Sequence, residues 1–170
     1  MNPGRGAAAR IDSISAFTGR VTAWLTLAMV LVTIVIVVLR YVFTSGFIWL
    51  QESLAWMHAV VFMLGAAYTL QQEEHVRVDV FYRDMTNTQR AWVNLAGAIL
   101  FLAPLCAFLF FESLDYVRSS WTIHEVSRDA GGLPYPAIPL LKSLLLLLPL
   151  TLALQGAALV IRSVHLLRQR

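Results

Sequence analysis

The segment WLQESLAWMHAVVFMLGAAYTLQQEEHVRVD, from Trp49 to Asp79, decides the fold of this chain. Between Glu52 and Glu73 it contains no charged residue, and most of its positions are apolar. A helix of this length crosses a hydrocarbon layer of about 30 Å, because each residue adds about 1.5 Å. The segment therefore predicts a membrane-spanning helix with a group of polar residues at each end.

The rest of the chain repeats this apolar pattern. Hydrophobic residues make up 58% of its 170 positions and charged residues only 14%. The apolar runs lie at approximately 21–39, 48–70, 91–111 and 140–161. None alternates with period two as a membrane barrel would, and a backbone in lipid must satisfy its own hydrogen bonds. We therefore expect an all-α membrane protein, a bundle of four transmembrane helices with short interfacial helices, as a single membrane domain over residues 1–170.

Arginine residues precede the first apolar run as in a signal peptide, but the length and the end of the run predict a retained helix and not a cleaved leader. The run is longer than the core of a signal peptide, which has about 7–15 residues, and it ends at Arg40 and Tyr41 instead of small residues. Asp12 can cap a short interfacial helix, since apolar residues recur around it at helical spacing. These residues are Ile11, Ile14, Phe17 and Val21. A frayed tail is the alternative that this pattern leaves open.

The connection from Gln71 to Arg90 mixes acidic and basic residues. Asp79 is a suitable N-cap for a short amphipathic helix over residues 80–85 on the membrane surface. Thr86 or Asn87 would then start the third long helix. A connection that is simply solvated is the alternative.

The distribution of positive residues predicts the orientation, because cytoplasmic segments retain Lys and Arg during insertion. With the N-terminus inside, the cytoplasmic side holds Arg5, Arg10, Arg20, Arg77, Arg83, Arg90, Arg162, Arg168 and Arg170. The opposite side holds Arg40, Arg118, Arg128 and Lys142. We therefore expect a multi-pass protein with both termini cytoplasmic. Since topology accounts for the net charge of +3, no nucleic-acid partner is needed.

Ionisable residues near the ends of the apolar runs are candidate contact residues. A short connection separates Arg40 from Glu52, so a tight hairpin would pair the two side chains. Trp49, Glu52 and Trp56 share one helix face, which indicates a surface for a partner. An aromatic belt with a snorkelling carboxylate is the alternative. Lys142 can snorkel outward, or meet a lipid headgroup or a carboxylate of a partner.

Small residues predict where helices approach each other closely. They occur in the second run at Gly65–Ala67 and in the fourth run at Ala153, Gly156 and Ala157. In lipid, small side chains let two backbones come into contact. We interpret these positions as packing sites.

The sequence contains no motif for catalysis, metal binding or phosphate binding. The lone Cys106 cannot form an internal disulfide, and we interpret it as a packing residue. His58 lies within an apolar run, which leaves a membrane redox subunit with His58 as a haem b ligand as an alternative function. A small exporter that uses Glu52 as its proton site is a third possibility.

Three elements in order resemble the small, DctQ-like membrane subunit of tripartite ATP-independent periplasmic (TRAP) transporters. They are the W-x-x-E element Trp49 to Glu52, the small-residue patch Gly65–Ala67, and the element His75-Val-Arg-Val-Asp79. The resemblance covers nearly the whole chain, from about residue 15 to residue 166.

This resemblance implies a protein of the bacterial inner membrane that is not an enzyme and holds no cofactor. Its partners would be a large TRAP membrane subunit, which carries the substrate and sodium sites, and a periplasmic substrate-binding protein. The small subunit would be a static scaffold in sodium-coupled uptake of an organic acid or related solute. Arg40, Trp49, Glu52, Trp56 and Lys142 would then face the large subunit or a phospholipid, and His75 and Asp79 would form a cytoplasmic motif.

Overall fold

The computed structural model describes residues 3–72 and 85–168, apart from the side chains of residues 3–5 and 7. Four helices dominate it: α1 (Pro3–Tyr41), α2 (Ile48–Gln71), α3 (Asn87–Thr122) and α4 (Ala137–Arg168). Each contains a stretch that is long and apolar enough to cross a membrane. The prediction of an all-α membrane bundle is therefore confirmed.

The expected interfacial helix near the N-terminus is not a separate element. Residues 11–21 belong to α1, which continues without a break into the first membrane span. Asp12 does not cap a helix, because its carboxylate accepts hydrogen bonds from Gln155 and Arg162 of α4. The second expected interfacial helix, over residues 80–85, lies almost wholly outside the described residues.

Helix α4 lies at the centre of the bundle. It contacts all three other helices and contributes the largest group of buried residues. Helices α1 and α2 pack against each other and against α4, whereas α3 packs mainly on α4. A small apolar core of Leu70, Cys106 and Leu152 joins α2, α3 and α4. The burial of Cys106 agrees with its interpretation as a packing residue.

Helix α3 begins at a capping box. The hydroxyl group of Thr86 accepts a hydrogen bond from the backbone N–H of Gln89, and the side chain of Gln89 accepts one from the backbone N–H of Thr86. This pair satisfies two amides that a helix N-terminus otherwise leaves open. Within α3, residues Ala98–Leu102 form one π-helical turn. A Cβ atom on Gly156 would lie 2.7 Å from Leu102 Cδ2, so a larger residue in α4 would have to displace the end of this leucine side chain.

The close approach of α1 and α2 occurs at Gly19. A Cβ atom at this position would lie 2.5 Å from Tyr68 Cγ, which is shorter than any normal contact. Gly65 has no such neighbour within 4 Å, although the adjacent Ala67 is buried. The prediction of close packing is therefore wrong for Gly65, whereas the burial of Ala67 agrees with it.

We expect Gly19→Ala to lower the thermal unfolding midpoint of the purified chain. The added methyl group must displace the Tyr68 ring, and overpacking of this kind typically costs about 1–3 kcal/mol. Gly65→Ala is the matched control, since it fills open space and gains about 1 kcal/mol of helix propensity. Circular dichroism in detergent micelles measures both midpoints. Equal midpoints for the two variants would contradict the proposed contact.

Candidate interaction site at the loop end of the bundle

The candidate site lies at the loop end of the bundle, the end that carries the connections 42–47 and 123–136. The connection 123–136 folds over the first turns of α2. The backbone N–H of Trp49 donates a hydrogen bond to Gly131 O at 3.1 Å. The backbone N–H of Leu133 donates to Glu52 Oε2 at 2.6 Å, and the hydroxyl group of Ser127 donates to Glu52 Oε1. Both carboxylate oxygens of Glu52 therefore hold this connection.

Two glycines allow the connection to come this close to Glu52. Gly131 has φ of +82°, a conformation that side-chain-bearing residues rarely adopt. A Cβ atom on Gly132 would overlap Ser127 Oγ and lie 2.8 Å from Glu52 Oε1. The turn thus depends on glycine for the backbone conformation at Gly131 and for the absence of a side chain at Gly132.

The predicted pair between Arg40 and Glu52 does not form. Arg40 is exposed at the end of α1, and its guanidinium group makes no ion pair with any side chain in the described ranges. The carboxylate of Glu52 accepts instead from Ser127 and Leu133. Nearness in sequence suggested the wrong partner, because the donors of the later connection reach the same position.

The two tryptophans of α2 have different environments. Trp49 is 48% exposed at the loop end. Trp56 is half-buried, and its Nε1–H donates a hydrogen bond to Ala137 O, at the start of α4, at 3.2 Å. The shared helix face that the spacing predicted therefore divides into an exposed residue and two residues, Glu52 and Trp56, that bind the chain's own backbone.

Lys142 meets a carboxylate of its own chain. Its Nζ lies 2.5 Å from Glu125 Oε2 and 4.0 Å from the centre of the Tyr116 ring. The hydrogen bond from Lys142 lowers the pKa of Glu125 below its ordinary value. Glu125 therefore stays ionised at neutral pH, and the pair ties the connection 123–136 to α4.

Aromatic side chains cover the same connection. The rings of Trp121 and Tyr135 meet edge to face at 6.3 Å, and the rings of His124 and Tyr135 lie 5.0 Å apart. Trp121 Nε1 donates to Ser143 Oγ at 3.0 Å. Sequence reasoning missed Ser127 and Leu133, since neither has a local signal for binding Glu52.

A second polar cluster lies at the terminal end of the bundle, the opposite end, where α1 starts and α4 ends. Arg162 Nη1 contacts both carboxylate oxygens of Asp12, at 2.9 and 3.0 Å. Gln155, which is fully buried, donates to Asp12 Oδ1 at 3.0 Å and accepts from the hydroxyl group of Ser15 at 3.1 Å. Gln71 Nε2 donates to Asp12 O at 3.0 Å, so the cluster joins α1, α2 and α4.

Sequence reasoning missed this cluster. The only available signal was Gln155, an amide inside an otherwise apolar run, because a polar group at that depth must find a partner within the protein. Its partners on α1 lie far away in the sequence, and no spacing rule connects them.

The remaining candidate residues form no further site within the described ranges. His58 is exposed on α2, and the described histidines His124 and His165 lie near opposite ends of the bundle. In residues 3–72 and 85–168, no group of three or more His, Cys, Asp or Glu side chains could hold a metal ion. His75 and Asp79 fall outside the described residues.

The chain matches the model of a known protein family. The model of the family described as "Tripartite ATP-independent periplasmic transporters, DctQ component" matches residues 29–168. This range contains α2, α3, α4, the connection 123–136 and most of the membrane-spanning part of α1. No curated protein and no solved structure matches the chain.

We expect Glu52→Ala to release the connection 123–136. The substitution leaves the Leu133 amide without its acceptor, so this amide opens to solvent more often. Amide hydrogen exchange at Leu133 should then accelerate by at least about tenfold. Glu112→Ala is the control, because it removes an exposed carboxylate at the same end. Equal exchange rates in wild type and Glu52→Ala would exclude this role of Glu52.

Proposed function

The chain belongs to the DctQ component family of TRAP transporters, and we propose that it is the small, non-catalytic membrane subunit that scaffolds the large transport subunit. In this proposal the complex takes up an organic acid or related solute together with sodium. The large subunit carries the substrate and sodium sites, and a periplasmic protein delivers the solute.

The proposal rests on one observation: the polar side chains at both ends of the bundle bind other groups of the same chain. Glu52 binds the backbone of its own chain, and Gln155 and Arg162 of α4 both bind Asp12 of α1. These contacts fix the helices to each other at both ends of the bundle. A rigid body of this kind suits a neighbour that stays still while a transport element of the large subunit moves.

The proposed contact region for the large subunit begins at the loop end of α1 and α2. Arg40 and Trp49 are exposed there and can meet a partner directly. Glu52, Trp56 and Lys142 contribute indirectly, since their internal bonds hold the connection 123–136 and the start of α4 beside this region. A phospholipid between the two subunits would contact the same exposed residues.

The charged residues around the loop end of α3 form the proposed contact surface for the periplasmic binding protein. They are all exposed: Glu112, Asp115, Arg118 and Arg128. Mixed charges on a surface favour a weak and specific encounter, because complementary potentials orient the partner. A delivery protein that must leave after each cycle needs such an interface.

We propose that the protein lies in the bacterial inner membrane with both termini in the cytoplasm. The positive-inside rule supports this orientation, because the terminal end of the bundle carries more arginine residues than the loop end. The proposed contacts of the loop end with a periplasmic protein require the same orientation.

We expect the tagged full-length chain to co-purify with a large multi-span membrane protein. The double variant Arg40→Gln/Trp49→Ala should reduce the recovery of that partner by about tenfold or more, because interface anchors contribute about 2 kcal/mol or more each. The matched control is Arg20→Gln/Trp92→Ala, which changes the same residue types at the terminal end.

Three results would contradict this proposal in different ways. Purification of the chain without any large membrane partner would exclude the role of a transporter subunit. Equal losses in the two double variants would exclude the proposed contact region. Solute uptake by cells that is unchanged when potassium replaces sodium would exclude sodium coupling.

We expect an impermeant thiol reagent to label Gly46→Cys, but not Ser13→Cys, in intact spheroplasts. Gly46 is exposed at the loop end and Ser13 at the terminal end. The native Cys106 is buried and gives a low background. Labelling of Ser13→Cys before lysis would reverse the proposed orientation.

A further inference from the structure

A polar cavity of about 310 Å³ lies between α3 and α4 at the terminal end. Its polar lining combines two guanidinium groups, two side-chain amides and one hydroxyl group. The residues are Asn87, Arg90, Asn94, Arg162 and Ser163. These groups are hydrogen-bond donors that can bind an anion, although Arg162 Nη1 also binds Asp12 and Arg90 Nε donates to Met85 O.

Two groups in the cavity keep donors available. Ser163 is only 5% exposed, and its hydroxyl group makes no hydrogen bond with any residue that the structure describes. Arg162 uses Nη1 for Asp12, while its Nε and Nη2 groups make no hydrogen bond within the described ranges. The hydroxyl group of this nearly buried residue can therefore donate to a ligand in the cavity.

The position of the cavity indicates the level of the lipid headgroups. Arg162 directly follows the last apolar residue of its predicted span, Ile161. Arg90 lies two positions before Trp92, which is 59% exposed, and exposed tryptophans typically lie at the interface between lipid and water. The guanidinium groups therefore lie where phospholipid phosphates are found.

We propose that this cavity binds the phosphate group of an anionic phospholipid such as phosphatidylglycerol or cardiolipin. Ser163 and Arg162 donate to the phosphate oxygens from α4, and Arg90 and Asn94 contact them from α3. Leu166, an apolar lining residue that is 40% exposed, contacts the start of an acyl chain. The lipid would thus join α3 to α4. This site does not depend on the proposed transport function.

The experiment is native mass spectrometry of the purified full-length chain with added lipids. We expect phosphatidylglycerol to bind at least about tenfold more tightly than phosphatidylcholine. Arg90→Gln removes a donor, and Ser163→Leu fills the cavity without changing a charge. Each variant should weaken phosphatidylglycerol binding by about tenfold, the typical effect of one lost charge-assisted hydrogen bond. Arg20→Gln is the matched control, since Arg20 is an exposed arginine outside the cavity.

Each possible result supports or overturns the proposal. Selective loss in Arg90→Gln and Ser163→Leu, with Arg20→Gln unchanged, supports it. Equal losses in Arg90→Gln and Arg20→Gln would indicate diffuse attraction to surface charge and overturn it. Displacement of the lipid by millimolar inorganic phosphate would assign the cavity to a soluble anion instead. Circular dichroism identifies an unfolded variant, and unchanged binding in a folded Ser163→Leu chain would exclude the cavity.

Discussion

A polar group inside a bilayer must find its partner within the protein, and this requirement organises the whole bundle. Hydrocarbon offers no hydrogen bonds, so an unpaired group at that depth costs several kcal/mol. Gln155 is the most deeply buried example, and it satisfies its amide with Ser15 and Asp12 of α1. Because the partners of one side chain lie on another helix, satisfying Gln155 also fixes the register between α1 and α4.

The same requirement explains why the bundle is fixed at both ends. At the loop end, Glu52 holds the connection 123–136, and Trp56 binds the start of α4. At the terminal end, Arg162 and Asp12 close the contact between α4 and α1. Apolar packing alone would permit helices to slide in lipid, since lipid tails are as apolar as leucine. Polar contacts at two levels remove this freedom.

Much of the fold follows from the sequence, because the apolar composition of a segment is enough to predict a membrane-spanning helix. The four spans and the start of α3 at Thr86 are of this kind.

Partner choice is different, since it depends on residues that are distant along the chain. The sequence pattern around Asp12 predicted a local N-cap, but in the structure its carboxylate binds Arg162 and Gln155. Glu52 had a nearby cation in Arg40, yet the Leu133 amide and the Ser127 hydroxyl reach it instead. Small residues show where close packing is possible, but only the neighbours decide that Gly19 requires it and Gly65 does not.

These features together favour the role of a scaffold over that of a transport pathway. A pathway through the membrane needs polar groups that exchange partners as an ion or solute passes, whereas Glu52 and Gln155 are occupied by contacts within the chain. A hydrogen bond to a charged group contributes about 1.5–3 kcal/mol, so several such bonds on different helices strongly oppose relative motion of the helices. A subunit that resists internal motion can support a moving neighbour only through exposed residues, and Arg40 and Trp49 are exposed at the loop end. The internal polar contacts and the proposed interface are therefore two parts of one arrangement, because the first would give the second a fixed position.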